Sequence, residues 1–266
     1  MATPPPVAIG TLLFSLVEPR RGHERAYNRW YERDHFYAGV LTGPGVLAGR
    51  RFVATRALKA LRIPVPLPAD GPMQDPSRGS YLVLYGIQQG EHERFSGWAA
   101  ERVRALHRAG RMFAERDQVH TAFFRAEGGV ARDADGVPPA LVLDHPYAGL
   151  VVAYFEAPDG GSSSELAHWL AESLWPSKLA GSAIAHCLHF SRLPLPDGAP
   201  GDTPVEAPRE RLLALCFLDA DPRDTWSGQL ARLAEEVSDA GRGRLLYAAP
   251  FVPTVPGTDR YSDELW

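Results

Sequence analysis

Lysine, cysteine and long apolar runs are all scarce in this chain of 266 residues. Two of its 28 basic residues are lysine, and its two cysteines, Cys187 and Cys216, lie in apolar runs typical of strands. Two thiols of this kind exclude a disulfide framework and argue against a zinc site. No run reaches the roughly 18–20 apolar residues of a membrane-spanning helix, and the first residues lack the features of a signal peptide. We therefore expect a cytoplasmic protein.

An excess of positive charge is missing too, since 28 basic residues stand against 32 acidic residues and the net charge is −4. A protein whose main partner is nucleic acid carries a basic patch as a rule. We therefore expect neither nucleic acid nor a membrane as a partner, and a small apolar or aromatic molecule instead. The sequence leaves open whether the chain forms a homodimer.

The common cofactor and hydrolase motifs are absent as well: the chain has no G-x-G-x-x-G, no P-loop, no G-x-S-x-G and no H-E-x-x-H. His186 and His189 are spaced like metal ligands, but strand residues three apart point to opposite faces of a sheet. The resulting prediction is a protein with no metal and no cofactor. Haem is the alternative, because it needs only one histidine in an apolar site.

The order of the predicted elements occurs twice. The first half has strands at 7–17, 46–55, 81–87 and 119–126 and helices at 23–41 and 91–107. The second half has strands at 150–157, 183–193, 211–220 and 244–252 and helices at 164–174 and 222–240. Long loops rich in proline, at 57–79 and 194–208, fall at matching places. We predict two units, 1–130 and 140–266, joined by a Gly- and Asp-rich linker at 127–139.

A β-α-β-β-α-β unit forms an antiparallel sheet with both helices on one face. Strands such as 81–87 are apolar on both sides, so the second face of each sheet must also be covered. The sequence thus predicts an α+β fold in which two ferredoxin-like units form one α/β barrel within a single chain.

One motif carries a resemblance to a known family. Asn28, Trp30, Tyr31 and His35 form the pattern N-x-W-Y-x-x-x-H, followed by Gly43-Pro44-Gly45 and by Ala48-Gly49-Arg50-Arg51-Phe52. This stretch resembles the dimeric α/β-barrel superfamily, and its EthD-like members most closely. The resemblance covers about residues 7–56 well and the second half only through the repeat. It implies a barrel built from a fused tandem copy, and a pocket that contains the histidine of the motif.

His35 is the first catalytic candidate, with Asp34 beside it, because a histidine near a carboxylate can transfer protons at neutral pH. A half-buried histidine that binds a backbone carbonyl is the structural alternative. The aligned helix of the second half carries Ser173-Leu174 at these two positions. If His35 is catalytic, we expect only the first half to be active.

Further candidates lie on the strands and on the same helix. Tyr81 and Tyr85 share one side of their strand, and we expect that side to face the interior of the barrel, where Tyr85 would stabilise an oxyanion. Either Arg50 or Arg51 points inward and would bind a carboxylate or enolate. The predicted substrate-binding residues are Trp30, Tyr31, Arg50, Arg51, Tyr81 and His120. Structural roles explain each of them as well.

These residues predict a cofactor-independent enzyme that moves protons in an isomerisation, cyclisation or dehydration of a small apolar carbonyl or phenolic compound. Two alternatives stay open: a binding or scaffold protein without chemistry, and a haem enzyme. The loop at 57–79 and the segment 251–266 are expected to cover a site, a sheet edge or a contact between subunits.

Overall fold

The computed structural model describes residues 7–194 and 209–266 of the chain. These residues form eight strands, as many as the sequence predicts. They are β1 (Ile9–Pro19), β2 (Val46–Val53), β3 (Tyr81–Gln88), β4 (Arg116–Ala131), β5 (Gly149–Glu156), β6 (Ile184–Arg192), β7 (Arg211–Leu218) and β8 (Arg244–Pro253). The predicted loop at 194–208 lies, apart from its first residue, outside the described residues.

All strand pairs are antiparallel, and the sheet closes on itself in the order β1-β3-β2-β8-β5-β7-β6-β4. The four strands of the first half are neighbours in the order β4-β1-β3-β2, and those of the second half in the order β8-β5-β7-β6. Counted within each half, both orders are 4-1-3-2. The predicted α+β fold with antiparallel strands is thereby confirmed.

The helices lie outside this closed sheet, and three of them contain π-helical turns. The segments are α1 (Glu24–Trp30) with a π-helix at Tyr31–Leu41, α2 (Arg56–Lys59), α3 (His92–Arg108), a 3₁₀ turn (Pro139–Leu141), α4 (Ser163–Trp169) with a π-helix at Leu170–Leu174, α5 (Trp175–Leu179), α6 (Pro222–Thr225) with a π-helix at Trp226–Leu230, and α7 (Leu233–Asp239). In both halves the first helix changes from α to π directly after a tryptophan, Trp30 or Trp169. None of the described helices is long and apolar enough to span a bilayer.

Local sequence explains where these helices begin and end. The hydroxyl of Ser162 accepts a hydrogen bond from the backbone N–H of Glu165, and the backbone N–H of Ser162 donates to the Glu165 carboxylate, so α4 starts with a capping box. After Leu41 the chain turns at Gly45, whose φ of +70° is one that a residue with a side chain adopts only at a cost. The predicted single helix at 222–240 is wrong, because a π-helical turn and a short break at 231–232 divide it into pieces.

The inside of the closed sheet is a packed core. Its aromatic side chains are almost fully buried: Phe14, Phe52, Phe124, Tyr154, Phe190, Phe217 and Tyr247 are each at most 2% exposed. The sequence predicted a ligand cavity at this place, and that prediction is wrong. Because buried aromatic side chains occupy the interior, the helix-facing side of the sheet is the place where we look for a candidate site.

The linker predicted at 127–139 is also corrected, because β4 continues to Ala131 and pairs with β6 along Gly128–Ala131. This pairing joins the two halves at one seam, and β2 with β8 joins them at the other. Strand pairing between the halves thus replaces a free connection over the first part of the predicted linker.

The two predicted covering segments both pack against the body of the protein. In the proline-rich loop, Arg62 donates hydrogen bonds to the carbonyls of Pro76 and Gly79 at 2.8 Å, and Asp70 binds Arg244 at 2.6 Å. At the end of the chain, the indole of Trp266 donates to Glu24 at 2.6 Å, and Leu265 is 1% exposed. The loop therefore stabilises one end of the closed sheet.

Candidate active site between the helices and the sheet

Tyr81 and Tyr85 show which face of the first-half sheet lies under the helices. Tyr81 accepts a hydrogen bond from Asn28 of α1 at 2.8 Å, and the hydroxyls of Tyr85 and Tyr31 are 3.2 Å apart. Both tyrosines therefore face the helices, and the prediction that they face the barrel interior is wrong. Burial raises the pKa of Tyr81 to about 12 and that of Tyr85 well above its usual value, so both phenols stay neutral.

His35 lies one turn after Tyr31 in the π-helix. Its imidazole stacks on Trp30, with ring centroids 4.4 Å apart and 19° between the ring planes, and meets Tyr31 edge to face at 5.2 Å. Gly39 lies against the other side of the ring, where a β-carbon would come within 2.8 Å of it. The missing side chain of Gly39 therefore makes room for the imidazole.

The Nδ1 atom of His35 is buried and has no hydrogen-bond partner among the described residues. Burial, reinforced by the positive charge of Arg116, lowers the pKa of His35 to about 4, although Asp34 acts in the opposite direction. The imidazole is consequently neutral at physiological pH. A buried polar atom without a partner is uncommon in native proteins and marks a place where a bound group can compensate the loss.

Asp34 does not orient His35, although the sequence placed the two in one catalytic pair. Its carboxylate binds Arg111 in a two-pronged ion pair at the protein surface, and this hydrogen bonding lowers the pKa of Asp34. The carboxylate therefore ties the helix to the segment after α3. The proposed proton relay between Asp34 and His35 has no geometric basis.

The two arginines of β2 point to opposite faces, as the alternation of the strand predicts. Arg51 lies under the helices, donates to Asn28 at 2.7 Å and to Glu32 at 3.0 Å, and is 7% exposed. Arg50 points inward and donates to the backbone carbonyls of His145 and Tyr147. Because protein groups already bind both guanidinium groups, neither is arranged for a substrate carboxylate.

His120 lies inside the closed sheet and not under the helices. Its ring packs 5.4 Å from Phe14, 6.2 Å from Phe124 and 5.7 Å from Tyr154, and it is 1% exposed. The structure thus brings Trp30, Tyr31, Tyr85 and His35 together on the helix-facing side and separates His120 and Arg50 from them.

Part of the helix-facing side of the first-half sheet is accessible to solvent. Leu13 lies opposite Tyr85, and Ser15 lies opposite Val83 and Thr121, so these side chains share the face that Tyr85 identifies. Four residues in the middle of this face are only partly buried: Leu13, Ser15, Val119 and Thr121. We call this partly exposed part of the face, with these four residues as its floor, the first-half recess.

The second half has no such opening among its described residues. Eight helix-facing side chains of its sheet are completely buried, with exposed fractions of 0%: Val151, Ala153, Phe155, Cys187, Leu212, Ala214, Cys216 and Leu218. Trp175 seals this layer and donates its indole N–H to Nε2 of His189 at 2.8 Å. Nε2 of His189 is therefore occupied by a structural hydrogen bond.

Three neutral polar groups escaped the sequence analysis, two on the floor of the recess and Gln118 beside them. The hydroxyls of Ser15 and Thr121 are 3.0 Å apart, and Thr121 donates to Oε1 of Gln118 at 3.2 Å. Ser15 was hidden in the apolar run Leu12–Val17, where one polar residue on an otherwise apolar strand face was the available signal. We call Ser15, Gln118 and Thr121 the polar patch.

His92, at the start of α3, is a second histidine that the sequence analysis missed. Its ring meets Phe123 of β4 edge to face at 5.4 Å, and its Nδ1 atom is buried without a hydrogen-bond partner among the described residues. Within residues 7–194 and 209–266, no cluster of three or more His, Cys, Asp or Glu side chains could hold a metal ion.

Comparison with protein-family models and with curated protein sequences gives no match. Solved structures do share the fold. An anthrone oxidase-like protein matches with a TM-score of 0.55 at 10% sequence identity, over 93% of this chain and 92% of that one. A variant of DypB from Rhodococcus jostii RHA1, in complex with haem, matches with a TM-score of 0.53 at 12% identity, over 100% and 96% of the two chains. The chain has the ferredoxin-like α+β fold of these structures.

Two predictions from the sequence are overturned by these neighbours. The predicted cofactor-independent isomerisation, cyclisation or dehydration is contradicted, because the solved structures that share the fold include an oxidase-like protein and haem-bound DypB. The prediction of no cofactor is wrong as well, since DypB carries haem on this fold. The alternative of a haem enzyme, which the sequence left open, agrees better with the comparisons.

Proposed function

We propose that the protein is a haem-binding oxidative enzyme whose active site is the first-half recess. The observation that carries this proposal is His35: a neutral imidazole with a buried, unpartnered Nδ1 atom, in the half of the molecule whose helix–sheet layer is open to solvent. Among the described residues of the second half, the corresponding layer is sealed. The proposal therefore assigns activity to the first half and a structural role to the second.

The donor chemistry at His35 fits haem. A histidine binds iron only as the neutral imidazole, and the pKa of about 4 keeps His35 neutral throughout the physiological range. Haem proteins of the peroxidase type use one histidine in a largely apolar site. Trp30, Phe36 and Phe113, all partly buried, supply apolar surroundings on this side of the first half.

The chain's own residues hold the imidazole in place before anything binds. Trp30 fixes the plane of the His35 ring by stacking, and Trp30 is itself fixed because its indole donates to the carbonyl of Arg111 at 2.7 Å. Gly39 allows the ring to lie close to the helix backbone. The guanidinium of Arg116 lies 5.8 Å from the centroid of the Trp30 indole ring and adds positive charge near His35.

Haem, once bound, would supply the oxidation of an organic substrate by peroxide or dioxygen. The protein contributes the iron ligand, the apolar surroundings of the recess and the neutral polar groups on its floor. Tyr31 and Tyr85 hydrogen-bond to each other. Because burial raises the pKa values of both phenols, they stay neutral during the reaction.

The proposal extends to the origin of the fold. The strand order 4-1-3-2 in each half, and the change from α- to π-helix after Trp30 and after Trp169, support a tandem duplication of one ferredoxin-like unit. An EthD-like origin is part of the same proposal and rests on Asn28, Trp30, Tyr31 and His35. The first copy, near 1–130, would keep the site, and the second, near 140–266, would have lost it.

Titration of the purified protein with hemin, followed in the Soret region, tests the function. We expect a saturable band at one haem per chain, and loss of that band in His35→Phe, which keeps an aromatic ring against Trp30. His92→Phe is the matched control, because it removes the other partly buried histidine on the helix side of the first half. A band that survives in His35→Phe, or no band in the unaltered protein, would overturn the proposal.

A further inference from the structure

The polar patch lies where a sheet under helices is ordinarily apolar. On the helix-facing side of β1 and β4, the neighbours of Ser15 and Thr121 along the strands are Leu13, Val119 and Phe123. On the equivalent face of the second half, the central positions are buried: they carry apolar side chains such as Ala153 and Ala214, and the polar His189 is bonded to Trp175. Three neutral polar side chains that solvent can reach therefore set this floor apart.

The hydrogen bonds within the patch leave specific groups for a ligand. Oε1 of Gln118 is the acceptor for Thr121 at 3.2 Å and, at 3.5 Å, for Ser15. These contacts use the hydroxyl protons, while lone pairs on both hydroxyls and the NH₂ group of Gln118 are not used within the patch. The patch can thus accept a hydrogen bond from a ligand hydroxyl, and it can donate one to the oxygen atom of that hydroxyl.

The surroundings of the patch restrict the kind of ligand. The patch itself contains no charged group, and the partly buried side chains of this helix–sheet layer include Trp30, Phe36 and Phe113. Flat aromatic rings pack well among such residues. A ligand with one polar end can form hydrogen bonds with an isolated group of neutral donors and acceptors. A charged end would lose its hydration here without an opposite charge within the patch.

We propose that the polar patch binds the hydroxyl or carbonyl oxygen of a small, uncharged aromatic compound, whose ring occupies the first-half recess. Ser15, Gln118 and Thr121 thereby act as specificity-determining residues. This inference deepens the proposed function by naming the substrate class, and it rests on that function only for the chemistry that follows binding.

The test uses the full chain without haem and two fluorescent probes of nearly the same shape, 1-naphthol and naphthalene. We expect 1-naphthol to bind at least about tenfold more tightly, the ratio that one well-made hydrogen bond supplies. Thr121→Val replaces the hydroxyl by a methyl group of similar size and should reduce this preference about tenfold. Thr121→Ser keeps the hydroxyl and should retain it, and Ser15→Ala should behave like Thr121→Val.

Equal affinity for the two probes, or an unchanged preference in both Thr121→Val and Ser15→Ala, would overturn the inference. A hemin titration of the same variants separates this failure from failure of the proposed function. If Thr121→Val loses its preference for 1-naphthol but keeps the Soret band, the patch is a ligand site distinct from the iron ligand. If the probes are not discriminated while the unaltered protein still gives the Soret band, the haem proposal stands and the patch is structural.

Discussion

His35 lies flat against Trp30, 4.4 Å from ring centroid to ring centroid, in a buried site where its imidazole stays neutral. Burial is the main cause of its lowered pKa of about 4, against an ordinary value of 6.5. When folding lowers the pKa of a base, its contribution to the stability of the folded state is fully present above the ordinary pKa, here 6.5. That contribution is lost as the pH falls toward 4, because the unfolded chain takes up the proton first.

We therefore predict that the unaltered protein loses about 2 kcal/mol more stability between pH 7.5 and pH 5 than His35→Phe does. Urea unfolding at the two pH values measures the difference. His189, which has a similarly lowered pKa, is present in both proteins and cancels in the comparison. Parallel losses in the two proteins would show that His35 is not buried as a neutral base.

Gly39→Ala should destabilise the protein, although alanine favours a helix over glycine by about 1 kcal/mol. The added β-carbon would lie 2.8 Å from the His35 ring and would push it away from Trp30. We expect a loss of stability of about 1–2 kcal/mol and a weaker hemin band. Gly97→Ala in α3 is the matched control, since a β-carbon there meets nothing within 4 Å, and it should stabilise. A stabilised Gly39→Ala would contradict the close packing of the imidazole.

Arg51→Lys should cost about 2–4 kcal/mol of stability, because a lysine cannot bind Asn28 and Glu32 together from a buried position. Its guanidinium also lies 4.6 Å from the ring centroid of Tyr31. Thermal unfolding measures the loss. Arg94→Lys, at an exposed ion pair with Glu91, should change stability by less than about 0.5 kcal/mol. If Arg51→Lys folds normally and loses only probe binding, Arg51 is the binding residue that the sequence predicted.

Glu156→Gln should destabilise the end of the closed sheet by about 3 kcal/mol. This carboxylate lies 3.1 Å from Arg209 and 3.2 Å from Arg211, and it binds Arg244 as well. Burial raises the pKa of Glu156, but the hydrogen bonds from Arg244 and Arg211 outweigh it, so the net change is downward. The stabilisation is present above its ordinary pKa and is lost in acid.

Chemical denaturation at pH 7 measures this effect, with Glu172→Gln as the control at an exposed pair with His168. The loss in Glu156→Gln should exceed that in the control severalfold and should change little with salt, because buried pairs are weakly screened. A loss equal to that of the control would mean that the arginine cluster is held by the proline-rich loop alone.

The element order was predictable because local signals in the sequence agree with the tertiary fold. The first helix was predicted to end at Leu41 and does so, since Gly43-Pro44-Gly45 cannot continue a helix. All eight strands were predicted from their apolar runs. The segment at 127–131 was not, because its glycines indicate a linker while its pairing partner β6 lies more than fifty residues further along the chain.

The site was only partly predictable. The motif that contains Trp30, Tyr31 and His35 pointed to the correct helix, but Asp34 proved to be bound to Arg111, which follows α3 in the sequence. Ser15 and Thr121 gave almost no signal, because each is a single polar residue whose partner is 106 positions away. Hydrogen bonds over such distances follow from strand pairing, which a single sequence does not display.

The sequence by itself determined the order of strands and helices, the sharing of one strand face by Tyr81 and Tyr85, and the opposite directions of Arg50 and Arg51. These follow from the two-residue period of a strand and from turn residues, which are local properties. Only the tertiary structure decided which face lies under the helices, because the two faces of these strands are equally apolar and the sequence does not distinguish them. Closure of the sheet filled its interior with aromatic side chains, and so the open surface, and with it the candidate site, lies between the helices and the sheet of the first half.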